Sequence, residues 1–104
     1  MKPTVGRIVN YILTEENVKQ IMRRRTHGGA IATAIAEGKW SIGAQAHIGN
    51  SVAAGQIIPM MIVAVWSETT VNGQGFLDGT DVFWITSTQI GDGQGNWNWV
   101  KREE

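Results

Sequence analysis

The chain has 104 residues, no cysteine and equal numbers of basic and acidic residues, nine of each. This length suits one domain spanning 1–104, and the lack of cysteine excludes disulfide frameworks, zinc–thiolate sites and thiol nucleophiles. Zero net charge argues against a general nucleic-acid-binding protein, and the apolar runs are too short for the ~20 residues of a membrane span, so we expect a soluble intracellular protein.

Residues 4–13, TVGRIVNYIL, form the first predicted element, a β-strand. β-Branched and aromatic residues are frequent in this stretch, and alternate positions put apolar side chains on both faces. Such a strand is typical of a small barrel, or of a sheet whose outer face is covered by a partner.

The following stretch, TEENVKQIMRRRTH, changes to a helical pattern. Thr14 is a good N-cap residue, and the acidic residues after it lie where the helix dipole favours negative charge. Apolar residues recur at spacings of three and four, and Arg25 shares their face. Because Gly28 and Gly29 are a strong stop signal, we predict a helix over residues 15–27.

The alanine-rich segment 30–40 is compatible with either a second helical piece or a loop. The helical insertion is therefore predicted to span about residues 15–37. From residue 41 to residue 56, glycine-containing dipeptides predict loops and turns.

In the second half of the chain, apolar runs separated by turn dipeptides predict strands joined by tight turns. Residues 57–68 are the most apolar run and predict a central strand, with Trp66 in the core. We predict further strands at residues 81–90, where Trp84 and Thr88 would share a face, and at the final NWNWV. The dipeptides Asn72–Gly73 and Asp78–Gly79 predict hairpin turns.

These elements predict a mainly β fold with one helical insertion, in the order β-α-β-β-β-β. Five short strands and 13 glycines favour a small five-stranded barrel, SH3-like or OB-like.

No catalytic constellation is apparent in the sequence. The two histidines, His27 and His47, have no metal-ligand spacing, and the hydroxyl side chains lack an activating motif. Phosphate-binding and dinucleotide-binding glycine motifs are missing, and Asp78 and Asp81 flank a turn glycine, which is typical of turn-forming residues. We therefore expect a protein that is not an enzyme, with no cofactor and no metal site.

Three consecutive arginines in the last turn of the predicted helix form the most specific feature. The arginine fork matches phosphate geometry, so we predict a phosphate site made by Arg23, Arg24, Arg25 and Thr26. Successive helical residues lie ~100° apart, so the three arginines cannot all reach one small ligand from one subunit. The alternative role is to cap the helix C-terminus or to form salt bridges between subunits.

Tryptophan is abundant, with five residues in the chain, and indole rings stack on nucleobases. Trp84, Trp97 and Trp99 lie on the late predicted strands and are the candidates for holding a base. The alternative is that most of the five tryptophans are core residues.

The motifs KPTVGRIVNY at the start and GQGNWNWVKRE at the end resemble those of a family of small phage and prophage proteins. Members of that family open with PTVGRIVHY and end with GTWHWPER, and the resemblance covers nearly the whole chain. This sequence departs from the pattern at Asn10 and at Asn98–Trp99–Val100, where the family has histidine and His-Trp-Pro. The resemblance implies a phage context rather than an activity.

Together, these observations favour a phage-encoded protein that sequesters a small nucleotide-derived immune signal of the cyclic-nucleotide or ADP-ribose type. We expect it to act in the cytoplasm of the infected bacterial host, as a homo-oligomer with sites between subunits. The alternatives are a structural or accessory virion protein and a nucleic-acid-binding small barrel.

Overall fold

The computed structural model describes residues 1–27 and 50–101, except for the side chains of Thr26 and His27. Within these ranges the elements are β1 (Ile8–Ile12), α1 (Glu15–His27), β2 (Ile57–Val65), β3 (Thr70–Phe76), β4 (Val82–Gln89) and β5 (Trp97–Asn98). None of the helices in these ranges is long and apolar enough to cross a membrane.

The strands form one antiparallel sheet in the order β4-β3-β2-β1-β5. The sheet curls into a half-barrel, and an isolated bridge between Ile90 and Trp97 joins the end of β4 to β5. The predicted mainly β fold, with five strands and one helix in the order β-α-β-β-β-β, is confirmed for the described residues. The first and last strands are shorter than predicted.

The core lies on the inner face of the curled sheet, where α1 covers it. Alternate residues of β1, such as Val9 and Tyr11, are buried there, together with Ile21 of the helix and Trp97 of β5. The Tyr11 hydroxyl donates a hydrogen bond of 2.8 Å to Asn17 Oδ1, which fixes the first turn of the helix against the sheet.

The helix begins with a reciprocal cap. The amide of Asn17 donates to Thr14 Oγ1 and the amide of Thr14 donates to Asn17 Oδ1, both at 2.9 Å. This is a capping box in which asparagine takes the place of glutamate or glutamine. The predicted helix at residues 15–27 is confirmed, whereas the remainder of the insertion, to residue 37, lies outside the described residues.

The predicted turn at Asn72–Gly73 is wrong, because both residues lie inside β3. Glycine is needed there for packing, since a Cβ atom at Gly73 would overlap the side chain of Met60 on β2. The connection between β2 and β3 instead lies around Ser67, where the amide of Trp66 donates to Thr70 O at 2.9 Å. Asp78–Gly79 does lie in the connection from β3 to β4.

The prediction that Trp66 is a core residue is also wrong, because 64% of its surface is exposed. Its indole Nε1 donates to Asn72 Oδ1 at 2.9 Å, and the same oxygen accepts the Ser87 amide at 2.7 Å. Ser87 has a φ of +49°, at an irregularity in the pairing of β3 with β4. Beyond it Thr88 is buried while Trp84 is exposed, so the predicted shared face of these two residues is wrong.

Candidate functional site

Arg25, the third of the consecutive arginines, is committed to an ion pair with Asp81. Its Nε and Nη2 donate to the two carboxylate oxygens at 3.0 and 2.9 Å, and its Nη1 donates to the carbonyl of Asn50. Only 6% of the Arg25 side chain is exposed. The hydrogen bonds from Arg25 lower the pKa of Asp81 below its ordinary value. Arg25 therefore fastens the helix end to the sheet, a role different from the predicted phosphate contact.

Asp81 was expected to be a turn-forming residue. It follows a turn glycine, but its carboxylate serves the helix rather than the turn. Asp78, three residues earlier, accepts hydrogen bonds from the amide and the side chain of Asn50, so the same corner also holds the segment that precedes β2. One feature of the sequence indicated a structural role for Arg25: it shares the apolar face of the helix, where a buried guanidinium needs an acceptor. The sequence did not identify that acceptor, because 56 residues separate Arg25 from Asp81.

Arg23 and Arg24 are the arginines that remain accessible. Arg24 Nη2 donates to the carbonyl of Val82 at 2.8 Å and lies 3.9 Å from Asp81 Oδ2, with 49% of its side chain exposed. Arg23 is exposed and has no hydrogen bond or ion pair within residues 1–27 and 50–101. The two side chains border a pocket of about 220 Å³ lined also by Gln20, Ile21 and Phe83.

Trp84 lies on the same edge strand that Arg24 contacts. It is two residues beyond Val82, a backbone separation of roughly 7 Å, and 64% of its surface is exposed. Its ring lies on the outer face of the sheet, whereas the helix covers the inner face. The structure therefore brings Trp84 and Arg24 to one edge, on opposite sides of β4.

Trp97 and Trp99 lie elsewhere. Trp97 is fully buried and its Nε1 donates to Thr69 O at 3.0 Å, so its ring is not accessible to a base and the predicted stacking role does not fit. Trp99 packs edge-on against Trp97 at 5.1 Å between ring centroids, and the Arg7 guanidinium lies 5.5 Å from the Trp99 centroid. Trp99 does not line the arginine pocket.

A second depression, of about 680 Å³, lies beside β1 and β5. Asn10 and Asn98 face each other there across the strand pair, and Asn10 Nδ2 donates to Asn98 Oδ1 at 3.1 Å. Asp92 and Lys101 also line the depression, and their opposite charges leave it without a strong preference for an anion.

Thr26 belongs to the last turn of α1, and its side chain lies outside the described residues, as does all of His47. Within the described ranges, histidine and acidic residues do not form a group of three that could hold a metal ion.

Comparison of the chain with protein-family models, with curated proteins and with solved structures found no match.

Proposed function

We propose that the chain is a phage-encoded, non-catalytic binding protein that sequesters a small nucleotide-derived anion, such as a cyclic-nucleotide or ADP-ribose-type immune signal. It would thereby counter antiphage defence in the cytoplasm of the infected bacterium. The observation that supports this proposal is the division among the arginines. Arg25 is neutralised by Asp81, while Arg23 and Arg24 remain accessible beside a pocket.

In this proposal Arg23 and Arg24 bind phosphate. A guanidinium has five N–H donors in a planar fork, so the single bond from Arg24 to Val82 O orients the group and leaves other donors for a ligand. The carbonyls at a helix C-terminus repel anions, and Asp81 is close. The attraction for phosphate must therefore come from the side chains of Arg23 and Arg24. The backbone of the last helical turn, which includes Thr26, does not contribute to it.

Trp84 is the base-stacking residue of the proposed site, because it is exposed and lies on the strand that Arg24 contacts. Trp99 is on a different edge of the sheet, so it contributes only if a second subunit supplies it. This is one reason to propose a homo-oligomer with sites between subunits. The small volume of the arginine pocket is another, since ligand sites usually measure about 300–1,000 Å³.

The test is thermal unfolding of the purified protein in the presence of cyclic dinucleotides, cyclic trinucleotides and ADP-ribose isomers. A ligand at one hundred times its Kd stabilises the fold by ~2.7 kcal/mol, which gives a clear rise in Tm. We expect Arg24→Ala and Trp84→Ala to abolish the rise. Recovery of the intact ligand after denaturation is expected of sequestration, whereas a cleaved product would indicate an enzyme.

Lys2→Ala is the control, because Lys2 is an exposed cation paired with Glu68, and neither residue lines the pocket. It should leave the ligand-induced rise in Tm unchanged. If no compound in the panel raises Tm, or if Lys2→Ala weakens binding as much as Arg24→Ala does, the proposed site is wrong.

A role as an accessory virion protein is the second candidate. The observation that favours it is the exposed apolar surface of the sheet, which includes Ile57 and Trp84. Association of the protein with purified particles, without affinity for any small ligand, would favour this role.

A further inference from the structure

The outer face of the sheet is apolar and lacks charge. Strand register places Ile8, Met61, Gln74 and Trp84 in one row across four strands. Phe76 pairs with Val82, Asn10 pairs with Pro59, and Ile12 pairs with Ile57 on the same side. We call these ten residues the outer face; they are Ile8, Asn10, Ile12, Ile57, Pro59, Met61, Gln74, Phe76, Val82 and Trp84.

Large side chains on this face are well exposed. The exposed fractions are 64% for Trp84, 59% for Ile57, 45% for Val82, 43% for Ile8 and 37% for Phe76. Together these side chains expose on the order of 500 Å² of apolar surface, at the upper end of what a monomer usually presents in one patch. A standard interface buries about 800 Å² per partner, so the exposed apolar side chains supply more than half of that area, and polar residues around them would have to supply the rest.

The absence of charge on the outer face indicates which partner fits it. In an isologous dimer each residue of an interface meets the same surface on the other subunit, so a face with charges of one sign would repel itself. The outer face contains only apolar residues, two amide side chains and a proline, whereas charged residues such as Asp92 and Lys101 lie at its border. Two copies can therefore meet without burying a charge.

We propose that the outer face is the surface through which two copies of this chain associate, sheet against sheet, with Trp84 on the edge strand β4 as its largest apolar side chain. Twisted sheets pack face to face with interdigitating side chains, and tryptophan is a residue type that often contributes strongly to interface energetics. This inference rests on the homo-oligomer in the proposed function and specifies its surface, with Trp84 at the border of the contact on the strand that Arg24 contacts.

The test is the mass of the full chain in solution, measured by sedimentation or by light scattering after gel filtration over a range of protein concentrations. The wild type should have twice the monomer mass of 11.4 kDa. Trp84→Glu and Ile57→Lys place a charge at two separate points of the outer face. Each should weaken dimerisation at least tenfold, so that the variants are monomeric at concentrations where the wild type is a dimer.

Val5→Glu is the control, because Val5 is 67% exposed and precedes β1, outside the strands that form the outer face. It should remain dimeric, and circular dichroism should show that all three variants are folded. A monomeric wild type, or dimeric Trp84→Glu and Ile57→Lys variants, would overturn the proposal. Loss of the dimer in Val5→Glu alone would also overturn it, because the interface would then lie at the N-terminal turn.

The mass measurement tests the interface separately from the proposed ligand site. The mass reports on the outer face without any ligand, and Arg24→Ala lies outside that face, so this variant should lose ligand binding and keep the dimer. A dimer that binds no nucleotide would contradict the proposed ligand alone. A monomer that binds a nucleotide through Arg24 would contradict the interface alone.

Discussion

Arg25 and Asp81 meet through two parallel hydrogen bonds of 3.0 and 2.9 Å, joining the last turn of α1 to the start of β4. The pair determines which arginines are available to a ligand. Because Arg25 is almost fully buried against the sheet, the helix is held in one orientation, and in that orientation Arg23 and Arg24 face outwards. The consecutive arginines thus have two roles, one structural and one proposed for binding.

The first prediction concerns the strength of this ion pair. Arg25→Ala should lower the free energy of unfolding by about 2–3 kcal/mol, because it leaves a partly buried carboxylate without its partner. Asp81→Asn should cost a similar amount, since it leaves the buried guanidinium unpaired. Urea denaturation of the two single variants and the double variant measures the coupling. Purely additive effects would show that the pair does not contribute to stability as a unit.

The second prediction is a dependence of stability on acid. Arg25 lowers the pKa of Asp81 in the folded state below the ordinary value of 3.8. The unfolded state therefore binds a proton more readily than the folded state does. The stabilisation is fully present above the unfolded pKa and is lost as pH falls through the lower, folded pKa. Urea denaturation of the wild type should show this loss, and Asp81→Asn should show a smaller decrease over the same pH range.

The third prediction concerns Gly73 in β3. Gly73→Ala should destabilise the protein by about 1–3 kcal/mol, because the added Cβ would overlap Met60 in the packed core. Gly93→Ala is a milder comparison, since the nearest atom to its Cβ is Asn96 Oδ1 at 3.2 Å, near the surface. Thermal unfolding of both variants makes the comparison. Equal losses of Tm would show that close packing is not the reason for glycine at position 73.

The elements were predictable where local signals agree. Thr14 and the acidic residues after it mark the start of α1, and alternation of apolar residues identifies the strands. Local signals gave a wrong prediction at Asn72–Gly73. Asn-Gly is the strongest short-range turn signal, but here Gly73 lies inside a strand and leaves room for the Met60 side chain of the neighbouring strand. The need for glycine at such a position comes from packing between two strands, and a local sequence pattern carries no information about that packing.

The sequence indicated which residue types form the candidate site, but it did not indicate the role of each residue. The three arginines were recognised, but their separate roles depend on Asp81, which only the folded chain brings close. The tryptophans show the same limit, because alternation does not indicate which face is covered. Trp97 stands between two asparagines in the sequence and is fully buried, whereas Trp66 and Trp84 follow apolar residues and are largely exposed.

The last prediction uses this contrast between tryptophans. Trp97→Phe should lower the free energy of unfolding by about 2–3 kcal/mol, because it leaves a cavity and removes the donor to Thr69 O. Trp66→Phe, which removes an indole donor from a largely exposed ring, should cost no more than about 1 kcal/mol. Urea denaturation measures both variants, and acrylamide quenching gives an independent check. Removing Trp97 should increase the quenchable fraction of the remaining fluorescence, since it deletes a fully buried emitter. Removing Trp66 should decrease that fraction. The opposite pattern would mean that the ring of Trp97 is not enclosed by the sheet and the helix.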